Sequence, residues 1–211
     1  MVTELCDGTL KKEETAFTLA QSTDICKQLL EGLQQLEKSS VCHNDLKPDN
    51  IFFKTREQKY KNGDSKIEIK IGDFGTANRS GGTPGWTWPR FLSERQPGRS
   101  DMYSTGLVIL YMMCESRELF YRIRDNYVGS QELWLERFRI DPLIELVLDM
   151  ISLKPSIQQC IQRWDEISDQ LEILTESSLC MNYSIPRYYF DIQDEMNRAG
   201  VELVKATHLD R

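Results

Sequence analysis

Over residues 15–38 the apolar side chains Ile25, Leu29, Leu33 and Leu36 recur every three or four positions, which puts them on one face of a helix. Lys38 falls in the last turn, where the helix dipole favours a cation. Ahead of this helix, residues 1–10 alternate apolar and polar and reach Asp7-Gly8, a pattern that predicts a strand end running into a turn. Behind it comes a polar loop, HNDLKPDN, and then two short strands, 51–53 and 67–71. The thirteen residues between them, 54–66, carry the turn signal Asn62-Gly63 and five basic against two acidic side chains. They predict a hairpin with an enlarged, charged and solvated tip, a partner site being the second reading of those charges.

Residues 72–100 are rich in Gly, Pro, Ser and Arg and hold no period. A stretch of that length without elements of its own points to function. From Asp101 onward the pattern is helical. Residues 102–114 are apolar nearly all round, so that helix belongs at the centre of the molecule. Further helices are predicted over 142–151 and 156–174, with Pro142 and Ser156 as start signals. Residues 165–211 look like a helical extension broken at Pro186, and no internal repeat is present.

Composition narrows the function classes. With 211 residues, 40% apolar and 28% charged, the chain is sized for one buried domain plus a modest extension. Its net charge of −7, without a basic stretch interleaved with aromatics, argues against nucleic-acid binding. The longest apolar run, residues 107–114, is too short to cross a bilayer. Glu4 and the lack of a basic-then-apolar start argue against a signal peptide. The six cysteines are scattered with no Cys-x-x-Cys pair, which predicts reduced, mostly buried thiols and a cytoplasmic location, with no disulfide framework or zinc site.

The candidate chemistry lies in the loops: His43-Asn44-Asp45 with Lys47 and Asn50, then Asp73-Phe74-Gly75, then Thr83-Pro84-Gly85. Phosphoryl transfer needs a carboxylate near the attacking hydroxyl, oxygen ligands for magnesium, and a cation to offset phosphate charge. An Asp, a Lys two residues on and an Asn three beyond that supply all three, and a second Asp after a later strand completes the metal set. The plain structural alternative is that Asp45 and Asp73 only cap turns.

Taken together these residues closely resemble the signature of the eukaryotic protein kinase family, serine/threonine type. The resemblance spans residues 1–164 and implies a mainly α fold with a short β-hairpin, the C-terminal lobe of that family from hinge to last helix, followed by the helical C-terminal extension 165–211. It implies that Asp45 accepts the proton of the substrate hydroxyl, that Lys47 contacts the γ-phosphate of ATP, and that Asn50 and Asp73 hold Mg2+. Residues from Glu4 to Cys6 would be the hinge that hydrogen-bonds adenine. Lys47 and Thr83 mark the serine/threonine branch, His43 packs and hydrogen-bonds to position the loop, and Asp101 braces that loop through its backbone. The implied partner is a protein substrate or a partner kinase.

Four departures from the family pattern set further expectations. No glycine-rich loop, strand lysine or paired helix glutamate precedes the hinge, so the N-terminal lobe is absent from these residues and the chain alone is expected to be weakly active or inactive. Asn44 stands where the family's usual Arg pairs with a phosphate on the activation loop. That loop is short, with twelve residues between Gly75 and Trp88, and Thr76 and Ser80 as its hydroxyls. Its usual Ala-Pro-Glu ending reads Trp88-Pro89-Arg90, and Arg90 would face Lys154, with Trp86 and Trp88 read as core aromatics. The alternative function is a pseudokinase-type binding module or decoy for another kinase.

Overall fold

The computed structural model describes residues 5–11, 17–60, 63–79, 81–88, 98–113, 142–153 and 155–177, with Arg117, Phe120, Tyr121 and Arg124; side chains at 142–144 and 170–177 lie outside this description. Helix α1 spans Leu19–Lys38 and starts from Thr18, whose hydroxyl accepts a bond from the Gln21 amide while the Gln21 side chain accepts one from the Thr18 amide. This reciprocal cap satisfies two orphan donors and sets the helix start at Leu19. Residues 12–16, where the sequence pattern starts the helix, lie outside the described residues. Phe17, just before the cap, meets Phe53 edge-on at 5.3 Å.

A small antiparallel sheet follows the order β1 (Gly8–Thr9), β2 (Ile51–Lys59), β3 (Ser65–Ile71). The first strand extends the sequence reading, because pairing continues past the expected turn at Asp7-Gly8: the Asp7 amide bonds to the Phe53 carbonyl and the Leu10 amide to that of Ile51, while residues 1–4 lie outside the described residues. The hairpin is corrected too. Pairing runs from Ile51↔Ile71 through Thr55↔Ile67 and, after an irregularity, to Lys59↔Ser65, so most of the expected tip is strand. Arg56 pairs with Glu68 on the neighbouring strand, and Tyr60 donates its hydroxyl to Asp24 of α1 at 2.6 Å. Gln28 of α1 bonds both the Ile67 carbonyl, at 2.8 Å, and the Ile69 amide, at 3.0 Å. These cross-strand charges and helix amides cover an otherwise open edge and carry a strand that hydrophobic alternation does not reveal.

Helix α2, Arg99–Met113, begins two residues before Asp101 and is buried on every side from Met102 to Leu110, the central position its uniform apolarity implies. Helix α3, Pro142–Ile151, matches its expected span. Helix α4, Ile157–Ser177, is capped by Ser156, whose hydroxyl accepts from the Gln159 amide at 3.3 Å. It passes Trp164 without a break, buries Ile167, and is tied to α1 by Lys27–Asp165 at 2.8 Å.

The core lies where α1, α2, α3 and α4 meet, filled by Leu29, Leu33, Leu107, Ile109, Leu146, Met150 and Trp164. Trp86 is a core aromatic as expected, stacked on Phe120 at 5.2 Å, and Trp88 packs at its margin. Arg90, Lys154 and Ser80 lie outside the described residues. Cys6, Cys26, Cys42 and Cys160 are free thiols, and burial pushes Cys160 up to about 11, so it is an unreactive packing residue. Among the described residues no helix is long and apolar enough to cross a membrane.

Candidate active site

The loop between α1 and β2 is fixed from beneath by α2. The Asp101 carboxylate accepts the His43 amide at 2.6 Å and the Asn44 amide at 2.7 Å, and all three residues are buried. Burial raises the Asp101 pKa above the usual carboxylate range, against the downward pull of those two bonds. The fully buried His43 ring accepts the Asp45 amide at Nδ1, 3.3 Å, and lies with Nε2 2.8 Å from the Gly72 carbonyl. Those two partners select the neutral ring with its proton on Nε2. His43 thereby joins the loop to the residue that precedes Asp73, and its ring also meets Phe74 at 4.8 Å.

Asp45 is the hub. Oδ2 accepts Lys47 Nζ at 2.8 Å and Asn50 Nδ2 at 3.1 Å; Oδ1 accepts the Thr83 amide at 2.8 Å and the Thr83 hydroxyl at 2.6 Å. Lys47 Nζ also donates to Thr83 Oγ1 at 2.5 Å. Partial burial alone would push the Asp45 pKa up, but the Lys47 and Thr83 bonds outweigh it and hold the carboxyl below its ordinary range. Asp45 is therefore ionised at neutral pH, as a proton acceptor must be. Its contribution to stability is present above the ordinary Asp value and lost as pH falls through its lowered one. Lys47→Met removes the leading downward cause, so the Asp45 carboxyl carbon should titrate at higher pH in an NMR pH series; an unmoved or lowered midpoint would contradict this account.

Asn50 and Asp73 come together because β2 and β3 pair at Ile51↔Ile71, and the Gly72 amide bonds to the Asn50 carbonyl at 2.9 Å. Asn50 Nδ2 is committed to Asp45, at the backbone carbonyl 2.8 Å away and at the carboxylate, which turns the amide oxygen the other way. Asp73 is exposed, in the left-handed region at φ 59°, and Oδ1 accepts the Gly75 amide at 3.4 Å. One carboxylate and one amide oxygen suit Mg2+, which takes few protein ligands and completes its shell with water and phosphate oxygens. Among the described residues no three His, Cys, Asp or Glu side chains form a metal cage. Cys6 is half-buried beside β1, and Glu4 lies outside the described residues.

Two features escaped the sequence reading. Asn44, at φ 67°, donates Nδ2 to the Thr76 carbonyl at 3.4 Å and the Arg79 carbonyl at 3.0 Å, so it fastens the segment after Asp-Phe-Gly directly. Asn is among the few side chains that accept this backbone region, a signal available in the sequence. Thr83 reaches Asp45 because Gly82, at φ 129°, passes so close to the Asn44 carbonyl and Thr87 hydroxyl that a Cβ would sit 2.5 and 2.2 Å from them.

Residues 1–185 match a family profile described as protein kinase domain. The chain is similar to a probable serine/threonine-protein kinase zyg-1 of Caenorhabditis elegans, 31% identical over 130 residues that cover 56% of this chain and 17% of that protein. It is also similar to calcium/calmodulin-dependent protein kinase type 1 of Macrobrachium nipponense, 29% identical over 177 residues, 81% of this chain and 44% of that protein. The same kinase type of Caenorhabditis elegans is 28% identical over 193 residues, covering 88% and 47%. The chain thus spans less than half the length of these relatives.

Proposed function

Since this chain belongs to the protein kinase domain family, we propose that it forms the C-terminal lobe of a serine/threonine kinase and transfers the γ-phosphate of ATP to a protein hydroxyl. The observation that carries the reading is the ionised Asp45 carboxylate, held by Lys47, Thr83 and Asn50 on a loop braced by Asp101. Asp45 takes the proton as the substrate hydroxyl oxygen bonds to the γ-phosphorus. The bond from that phosphorus to the β–γ bridging oxygen breaks, and ADP leaves with its electron pair. Lys47, already placed by Asp45 and Thr83, faces the transferred group and offsets its charge. Mg2+, when bound through Asn50 and Asp73, neutralises charge on the phosphates. The mainly helical fold and the order of its loops support the lobe assignment, and the probable serine/threonine-protein kinase zyg-1 among its relatives supports the acceptor.

Incubation of these residues, joined to an N-terminal lobe of the family, with labelled ATP, magnesium and peptides bearing Ser, Thr or Tyr tests this directly. Label is expected on Ser and Thr; label on Tyr alone, or nucleotide binding with no transfer, would overturn it. Asp73→Asn should weaken magnesium-dependent nucleotide binding by at least roughly tenfold in calorimetry, and leave magnesium-free binding unchanged. An equal loss with and without magnesium would remove Asp73 from the metal site.

A further inference from the structure

Asp73 is exposed, and among the described residues its carboxylate makes one bond, the 3.4 Å contact with the Gly75 amide inside its own turn. Its backbone sits in the left-handed region at φ 59°, which persists in a non-glycine residue when the surroundings impose it. On the chain before it, the Gly72 carbonyl meets His43 Nε2 and the Gly72 amide bonds to the Asn50 carbonyl. On the chain after it, residues 76–79 are bonded to residues 42–44. We propose that Asn44 and Asn78 are positioning residues that clasp 76–79 onto 42–44 and thereby hold Asp73 beside Asn50. The use of Asp73 as a metal ligand rests on the kinase reading; the clasp itself does not.

The two asparagines reach across from opposite sides and do opposite work. Asn44 is a donor: Nδ2 bonds the Thr76 carbonyl at 3.4 Å and the Arg79 carbonyl at 3.0 Å. Asn78 is an acceptor: Oδ1 takes the Cys42 amide at 2.8 Å, while the Asn78 amide donates to the Cys42 carbonyl, also at 2.8 Å. The Thr76 hydroxyl adds a bond to the His43 carbonyl at 3.1 Å. Asn44 is 2% exposed and its Oδ1 is buried with no hydrogen-bond partner among the described residues. A buried, unpaired oxygen is costly, so this side chain is kept for its NH2. Both asparagines occupy left-handed backbone, φ 67° and 56°, a region that Asn tolerates better than most residues. Each thus supplies a turn and a bond across it. The junction is coupled to Asp73 through a tight turn, closed by the Ala77 amide on the Phe74 carbonyl at 3.1 Å and followed by the Arg79 amide on the Thr76 carbonyl at 3.0 Å. Asp73 therefore lies between two anchors, His43 ahead and the clasp behind.

The opposite roles supply the test. Asn78→Asp keeps the acceptor and tolerates the backbone; Asn78→Gly keeps the backbone and loses the acceptor. In the purified protein without nucleotide, amide hydrogen exchange followed by NMR should show parent-like protection at Ala77 and Arg79 for Asn78→Asp. Asn78→Gly should lower that protection roughly five- to tenfold and shift the Gly75 amide resonance, which reports its bond to Asp73. Asn44→Asp turns a carboxylate toward two carbonyls and should resemble Asn78→Gly; should burial of that charge unfold it, the exposed Asn78 pair still decides. Protection unchanged in Asn78→Gly, a Gly75 resonance that stays put, or equal losses for Asp and Gly at position 78 would overturn the clasp. Joined to an N-terminal lobe as above, Asn78→Gly should weaken magnesium-dependent nucleotide binding by roughly three- to tenfold and leave magnesium-free binding unchanged, with Asn78→Asp restoring the parent value. A loss equal with and without magnesium would be a general structural lesion and would break the link to Asp73. A parent whose nucleotide binding ignores magnesium would sink the metal assignment alone, and the clasp would stand or fall on exchange and the Gly75 resonance.

Discussion

Asp45→Asn is expected to lower phosphoryl transfer by roughly 10²- to 10⁴-fold, with nucleotide affinity changed by about twofold or less. On the proposed reading Asp45 acts on the acceptor hydroxyl and not on the nucleotide, so its loss belongs in turnover. An amide cannot take the proton. It also fits poorly, because each carboxylate oxygen of Asp45 accepts two donors: Thr83 amide and hydroxyl on one, Lys47 and Asn50 on the other. Whichever way the substituted amide turns, its NH2 faces a pair of donors, and Lys47 loses its counter-charge. A thermal melt of the variant separates this local misfit from lost chemistry. Single-turnover rates measured at saturating ATP decide the matter: a variant within about threefold of the parent would remove Asp45 from the proton-transfer role.

The parts of this protein written as periodicity were legible in its sequence, and the parts written as pairing across the chain were not. Ile25, Leu29 and Leu33 announce α1, and the apolar run from Met102 announces the buried α2, because both signals depend only on near neighbours. The polar ends of β2 and β3 carry no such signal. Arg56–Glu68, Tyr60–Asp24 and the Gln28 bridge join residues distant in sequence, and no window of the chain contains them. The site divides the same way. Asp45, Lys47, Asn50 and Asp73 stand out by residue type and spacing, and the fold gathers them around the ends of β2 and β3. Thr83's double donation to Asp45 and Asn44's hold on the Thr76 and Arg79 carbonyls depend on loop geometry. Asn44 is instructive: its sequence signal reads as a lost phosphate partner, while its structural work is a direct bond to the segment a phosphate would order.

The second large effect should fall on stability, at Asp101. Asp101→Ala is expected to cost about 3–5 kcal/mol, roughly the sum of two buried amides left without acceptors at 1–3 kcal/mol each and the lost side-chain packing. The His43 and Asn44 amides it serves belong to residues 0% and 2% exposed, so water cannot replace the carboxylate. Against a typical domain stability of about 5–15 kcal/mol this is a large fraction. Asp101→Asn keeps one acceptor oxygen and turns its NH2 toward the other amide, so a loss comparable to or slightly below that of Ala is expected. The pH dependence carries a second signature. Because burial raises the folded pKa of Asp101, the folded state keeps this proton after the unfolded state has released it. Asp101's contribution to stability is therefore greatest below the ordinary Asp pKa of about 3.9, falls as pH rises to the folded value, and is flat above it. Urea unfolding of parent and Asp101→Asn across that range should show their difference shrinking with rising pH and then levelling. A loss under about 1 kcal/mol at neutral pH, or a difference that grows with pH, would show that the loop holding Asp45 is carried by something other than this carboxylate.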